Sequence, residues 1–190
     1  MAADMDWKQQ LMSYSPYNEQ EAADQRVILT CLNTFEDVLT RNNAIAHITC
    51  SGFVVNKGRS KALMVHHNIY HSWSWTGGHA DGETDFLAVA LREVEEETGV
   101  KGIPVTTDIF SLDVLTVVGH VKNGEFITPH LHLNVAYLIE ADEKQALYIA
   151  EAENSDVAWI PIDQLNDYSN EEHMKPIYNK MVEKMTAAVR

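Results

Sequence analysis

The chain has 190 residues, of which 14 are Lys or Arg and 28 are Asp or Glu, so its formal net charge is −14. This length favours one compact domain with a modest extension, and an apolar content of 45% argues against disorder. The acidic excess argues against a general nucleic-acid binder and against docking on anionic lipid, because both partners need a basic surface. The polar N-terminus and the lack of an apolar run of about 18 residues predict a cytoplasmic protein.

The hydrophobic pattern predicts helices at both ends of the chain and a sheet with one charged helix between them. The first 17 residues are expected to be irregular, and Ser169 with Glu172 resembles a capping box for the C-terminal helix. Together these segments predict a mixed α/β domain. The predicted helices cover about 19–40, 84–98 and 169–188, and the predicted strands cover 45–56, 61–67, 71–75, 105–120, 128–141 and 157–162.

The acidic residues are concentrated in one short stretch. Residues 81–97 hold seven acidic side chains and one arginine, which gives −6 of the total −14. Glu93, Glu96 and Glu97 share one helical face near the C-terminal end, where their mutual repulsion and the helix dipole both disfavour negative charge. An acidic surface helix is one interpretation, but a bound divalent cation would make this arrangement favourable. Oxygen ligands favour Mg²⁺ or Mn²⁺ over Zn²⁺.

A glycine-rich loop, residues 76–83, precedes this helix. Gly77 and Gly78 follow a predicted strand and would let the backbone approach a ligand, with carbonyls available to a metal and amides available to a phosphate. A simple tight turn would fit the two glycines equally well.

Together, the loop and the helix, GGHADGETDFLAVALREVEEETGV, resemble the Nudix box, whose signature is Gly-x5-Glu-x7-Arg-Glu-U-x-Glu-Glu-x-Gly-U with U a bulky aliphatic. The second half, residues 92–100, matches in full. The first half departs, because Thr84 occupies the position of the signature glutamate and eight residues instead of seven separate Glu83 from Arg92. The GGHADG variant also resembles a subgroup of the family with a later His-x-His strand, although that subgroup commonly has Asp where this chain has Asn134.

The resemblance implies a Nudix-type α/β/α sandwich around a mixed sheet, with residues 45–190 as the Nudix domain and 1–44 as an N-terminal extension. It implies Mg²⁺-dependent hydrolysis of the pyrophosphate bond in a nucleoside diphosphate linked to another group. By position, the three glutamates would bind the metal together with a carbonyl of Gly77 or Gly78, and Arg92 would hold the glutamates by ion pairing. Either Glu96 or Glu97 would serve as general base; outside the motif, Glu151 and Glu153 are further candidates.

Other residues are candidates for substrate contacts. His79 lies in the glycine loop and could touch phosphate, and Trp75 could stack on a base. His130 and His132 share a strand face as a potential zinc pair, but neither a cysteine nor a third placed histidine supports such a site. For each of these residues, a core or solvated position is the competing interpretation.

Two other functions remain open at this stage. A nucleotide-sensing module without catalysis would share the fold, and so would an enzyme resembling isopentenyl-diphosphate isomerase. The isomerase needs a catalytic cysteine before the box, and Cys50 lies in no matching motif; Cys31 and Cys50 are instead expected to be small buried residues. The expected partner is a small nucleotide-type substrate, and the N-terminal helix is a candidate interface for a homodimer.

Overall fold

A computed structural model describes residues 6–122 and 124–187, and in it helices flank a mixed sheet. The five α-helices are α1 (Trp7–Ser13), α2 (Glu19–Thr34), α3 (Phe86–Thr98), α4 (Leu165–Tyr168) and α5 (Lys175–Ala187). The strands are β1 (Ala46–Asn56), β2 (Lys61–His67), β3 (Ser72–Ser74), β4 (Thr76–His79), β5 (Ile103–Pro104), β6 (Ser111–Val117), β7 (His120–Lys122), β8 (Glu125–Ile127), β9 (His130–Ala141) and β10 (Asn154–Pro161).

Eight of the strands form one sheet with a spine in the order β10-β2-β1-β9-β5. Strands β3, β4 and β6 pair with β2, β1 and β9, respectively, and β7 pairs with β8 as a separate hairpin. The predicted α/β fold with a central sheet and terminal helices is therefore confirmed. No helix within the described residues is long and apolar enough to cross a membrane.

The chain divides into two compact units, and β1, β9 and α3 each run through both. The first unit comprises Met1–Cys50, Gly78–Val89 and Asp108–Ala136. In it, β6 pairs antiparallel with β9 from Ser111 opposite Ala136 to Val117 opposite His130. Helix α2 packs on β6, where Asp24 accepts a hydrogen bond of 2.9 Å from the backbone N–H of Val114.

The second unit comprises Ser51–Gly77, Ala90–Thr107 and Tyr137–Arg190. Its strands β10 and β2 pair antiparallel over seven register positions, with a bulge between Asn154 and Asp156. Its core contains Val94 from α3, and Gly52 of β1 provides the space for it. A Cβ atom at Gly52 would lie 2.6 Å from Val94 Cγ2 and 2.9 Å from Ile139 Cδ1. The close packing of α3 on the sheet therefore requires glycine at this position.

The N-terminal segment is more ordered than the sequence pattern predicts. Residues 7–13 form α1, so the expectation of an irregular segment over 1–17 is wrong there, while residues 1–5 lie outside the described part. Leu11 is completely buried, and its carbonyl accepts a hydrogen bond from Gln25 on α2. The ring of Trp7 lies edge-on to Phe86 at 5.6 Å. A helix of only seven residues has too few apolar positions to show a period, so these tertiary contacts decide its structure.

Helix α2 ends at Thr34 instead of about 40. Phe35 is extended, and the carboxylate of Asp37 accepts the N–H groups of Leu39 (2.8 Å) and Thr40 (3.0 Å). Such side-chain-to-backbone bonds offer the chain an alternative to the helix. The apolar spacing that predicted a longer helix instead reflects a loop that buries Val38.

Two further boundaries differ from the prediction. The strand expected over 105–120 is reduced to β6, with the short β5 before it. The capping box expected at Ser169 and Glu172 is wrong, because Ser169 ends α4 with its N–H bonded to the carbonyl of Leu165. Helix α5 begins at Lys175, with Pro176 in its first turn, where a missing N–H costs nothing. The predicted helix end at 188 lies outside the described residues.

Candidate active site

Helix α3 carries the acidic motif, and both of its ends are specified locally. The side chain of Asp85 accepts a hydrogen bond of 3.0 Å from the N–H of Ala88, which caps the N-terminus. Gly99 follows the last turn with φ of +73°, the left-handed conformation that glycine adopts without strain. The apolar side of α3 packs inward through buried residues that include Ala90 and Val94. This orientation sets where the three glutamates lie.

Glu97 is the buried member of the three glutamates, with only 5% of its surface exposed. Its Oε1 accepts a hydrogen bond from the backbone N–H of Gly77 (2.8 Å), and its Oε2 accepts one from the side-chain amide of Asn154 (2.9 Å). Burial raises the pKa of Glu97 to about 7, and the negative charges of Glu153 and Glu93 add to the rise, while the two hydrogen bonds oppose it. The carboxylate is thus held in place by two amide donors, in surroundings that disfavour its ionised form.

Glu93 and Glu96 differ from Glu97 in exposure. Glu93 is half-buried, whereas the side chain of Glu96 is exposed and lies 3.9 Å from the Nε of Arg92. An exposed pair at this distance is worth only about 0.5 kcal/mol. Glu95 faces away and pairs with Lys101 at 3.2 Å. Arg92 therefore pairs with Glu96, whereas amide donors orient Glu97.

The glycine loop contributes through an amide at Gly77. The sequence interpretation assigned carbonyls of Gly77 or Gly78 to a metal; the structure shows that the N–H of Gly77 binds the Glu97 carboxylate. This contact ties β4 to the last turn of α3. Gly77 itself is exposed.

Sequence reasoning missed Asn154, which bonds Glu97 from the start of β10. Asn154 is buried, and the adjacent Glu153 is exposed. Its one signal in the sequence is its position next to Glu153, a candidate general base. Glu151 is also exposed, and its carbonyl accepts a hydrogen bond from Asn68.

Trp75 lies in the core of the second unit. It is nearly buried, and its ring meets that of Tyr178 edge-on at 5.7 Å. A stacked base needs an accessible ring face, so this placement favours the packing interpretation for Trp75.

A second cluster, in the first unit, consists of His47, His79, His130 and His132. Strand β1 supplies His47, strand β9 supplies His130 and His132 on one face, and the glycine loop supplies His79. A hydrogen bond of 2.9 Å from the N–H of Leu131 to the carbonyl of Ile45 joins the two strands here. The ring of His47 lies 4.9–5.2 Å from each of the other three rings. The third histidine that the sequence did not identify is therefore His47.

Burial and the neighbouring histidines lower the pKa of two of these imidazoles, His47 and His132. The pKa of His132 falls to about 2, chiefly because the ring is buried and also because three other histidines of the cluster would repel its charge. Burial likewise lowers the pKa of His47. A neutral imidazole has one nitrogen that can accept a proton or bind a metal.

Comparison with known proteins places this geometry in a family. The sequence profile of the NUDIX domain matches residues 46–182. No curated protein matches the sequence closely enough to count as a relative.

Solved structures share the fold. A NUDIX-family hydrolase from Clostridium perfringens is 18% identical with a TM-score of 0.53, over 73% of this chain and 97% of that one. A NUDIX hydrolase from Nitrosomonas europaea is 21% identical with a TM-score of 0.52, over 75% of this chain and 90% of that one. These likenesses support the fold, and the profile match supports the family. The chain therefore belongs to the Nudix family and is an enzyme of the pyrophosphohydrolase type, as its box predicts.

Proposed function

We propose that this enzyme uses Mg²⁺ or Mn²⁺ to hydrolyse the pyrophosphate bond of a nucleoside diphosphate linked to another group. The observation that carries the proposal is the buried carboxylate of Glu97, with acidic neighbours and both oxygens oriented by amide donors. Burying a carboxylate in this way is unfavourable unless a positive charge is supplied. A divalent cation would supply that charge.

The donor set fits a hard cation. Glu93, Glu96 and Glu97 offer carboxylate oxygens, and the carbonyls of Gly77 and Gly78 complete the proposed ligands. Each oxygen of Glu97 accepts one hydrogen bond and keeps a further lone pair for a metal. Bound at these ligands, the cation would neutralise phosphoryl charge and lower the pKa of a coordinated water.

We assign the proton transfer to Glu96. Its side chain is exposed and can reach a water, whereas Glu97 is held by Gly77 and Asn154. In the proposed step, the water oxygen attacks one phosphorus, its proton passes to the Glu96 carboxylate, and the bond from that phosphorus to the bridging oxygen breaks. Arg92 then acts as a positioning residue for Glu96.

The remaining assignments concern the substrate and the organisation of the chain. His79, His132 and Glu153 are the proposed contacts for the substrate, a small nucleotide-type molecule. The division into a catalytic domain over 45–190 and an extension over 1–44 stays a prediction, as does the homodimer. The isomerase alternative gains no support, because Cys50 is completely buried.

The test is a panel of nucleotide sugars, dinucleotides and nucleoside triphosphates, assayed with and without Mg²⁺. We expect Mg²⁺-dependent turnover of at least one diphosphate-linked nucleoside by the wild type, and its loss in a Glu96→Gln, Glu97→Gln variant. The matched control is Glu95→Gln, which removes a carboxylate from the same helix outside the proposed ligands. Equal inertness of the wild type and the double variant, with nucleotide still bound, would favour the nucleotide-sensing module.

A further inference from the structure

The histidine cluster contains three ring nitrogens that are placed to share one ion. Ligand atoms of His47, His130 and His132 all lie within 4.8 Å of one another. His47 is only 3% exposed, and its Nε2 is buried without a hydrogen-bond partner in the described structure. A buried polar atom left without a partner typically costs about 1–3 kcal/mol. A buried Nε2 without a partner at His47 therefore indicates a ligand that the polypeptide itself does not provide.

The tautomers of two of these histidines follow from their partners. Nδ1 of His47 lies 2.9 Å from the carbonyl oxygen of Asn43, and Nδ1 of His130 lies 2.8 Å from that of Thr128. A carbonyl only accepts, so both Nδ1 atoms carry the proton and both Nε2 atoms present a lone pair. An imidazole that donates its other N–H to a backbone carbonyl is oriented as metal-binding histidines are.

The spacing of the ligand atoms also fits a metal. The Nε2 atoms of His130 and His132 are 3.3 Å apart. Two nitrogens bound tetrahedrally to zinc at its usual bond length are separated by about 3.3 Å. Without an ion, His132 donates its Nε2–H to His130. To bind an ion together, His132 would carry its proton on Nδ1, so that the Nε2 lone pairs of both histidines would be available to the metal.

From this geometry we propose that His47, His130 and His132 form a second metal site that binds Zn²⁺ or a related transition-metal ion through their Nε2 atoms. Imidazole nitrogen suits such ions, whereas Mg²⁺ prefers oxygen, so the site differs in kind from the carboxylates of α3. Three protein ligands leave a fourth position open to water or to an anionic group of a substrate. The three histidines lie outside the glutamate cluster, so ion binding by them is independent of the proposed hydrolysis.

The experiment measures Zn²⁺ binding to the full chain after treatment with a chelator. Isothermal titration in excess Mg²⁺, which occupies the carboxylates, gives the stoichiometry and the affinity. Titration with Co²⁺ adds a spectroscopic signature, because four-coordinate nitrogen ligation produces intense visible absorption. The variants are His47→Gln and His130→Gln, with His173→Gln as the matched control. His173 is exposed, with its Nε2 3.8 Å from Glu171, and belongs to the other unit.

We expect one Zn²⁺ per wild-type chain, with affinity at least tenfold weaker in His47→Gln and His130→Gln and unchanged in His173→Gln. Circular dichroism checks folding. If His47→Gln fails to fold, the test rests on the Zn²⁺ affinity of His130→Gln, a substitution at a half-exposed position, and on the Co²⁺ spectrum of the wild type. No stoichiometric binding by the wild type, or equal affinity in all the variants, would overturn the proposal.

Discussion

The glutamates of α3 and the histidines of β1 and β9 are both dense groups of one residue type, yet they are held in different ways. The three glutamates lie within five consecutive positions of one helix, 93–97. Of the three, only Glu97 is buried, and it accepts hydrogen bonds from Gly77 and Asn154. His47 and His132 are 85 positions apart in the sequence and meet only through the sheet. The glutamate cluster has excess negative charge, whereas the histidine cluster offers imidazole nitrogens, and the Nε2 of His47 has no hydrogen-bond partner among the described residues. Each group thereby favours a different class of cation.

The largest expected effect is on turnover. Replacing Glu97 with Gln removes the buried negative charge but keeps the shape of the side chain, so the fold should persist. We expect kcat for the Mg²⁺-dependent reaction to fall by about 10²- to 10⁴-fold, which is the range for positioned catalytic groups. Steady-state kinetics measures this, with Glu95→Gln as the control. Near-wild-type turnover would exclude metal chemistry at the glutamate cluster.

The second prediction concerns the unit that contains the histidines. Leu11 is completely buried in a segment that the sequence pattern predicted to be irregular. We expect Leu11→Ala to lower the free energy of unfolding by about 2–5 kcal/mol through lost burial and a cavity. Urea unfolding measures the loss. Met12→Ala is the control, because Met12 is 64% exposed, and its effect should stay within about 0.5 kcal/mol. Equal effects would show that α1 does not pack as described.

The two clusters should also affect stability in opposite directions with pH. The pKa of Glu97 is raised from 4.5 to about 7, so the folded state holds its proton more tightly than the unfolded state. Between pH 4.5 and 7 the metal-free protein should therefore lose about 3 kcal/mol of stability through this group as pH rises. Glu97→Gln, or saturating Mg²⁺, should remove that slope. A slope unchanged in the variant would contradict the assignment.

For the histidine cluster, we expect stability to change with pH in the opposite direction. Because the pKa of His132 is lowered from 6.5 to about 2, the unfolded state binds the proton more tightly. Its contribution to stability is present above pH 6.5 and decreases as pH falls below that value. Comparing wild type with His132→Gln by thermal unfolding from pH 5 to 7.5 tests this. The variant should be the less sensitive of the two to acid.

The smallest expected effect tests how closely α3 must pack. Gly52→Ala places a Cβ atom 2.6 Å from Val94 Cγ2, so we expect overpacking to cost about 1–3 kcal/mol. Gly58→Ala is the matched control, because the nearest atom, Ser60 Oγ, lies 3.8 Å away. Chemical denaturation of both variants measures the difference. Comparable stability of the two would mean that α3 has room to shift on the sheet.

Prediction from sequence succeeded where a pattern repeats over a short range. Strand β2 was placed at its observed boundaries and β1 within one residue. It failed at α1 and at the end of α2. There, the burial of Leu11 and the turn around Asp37 decide the conformation, and neither produces a period in the sequence.

The sequence by itself determined the family and the common face of Glu93, Glu96 and Glu97, because their separations of one, three and four residues are fixed by the covalent chain and the helical turn. Only the tertiary structure decided that Asn154 and Gly77 hold Glu97 and that His47 joins His130 and His132. Those contacts depend on strand pairing between distant segments. The register of such pairing follows from the burial of whole strands, so it cannot be deduced from the identity of any single residue.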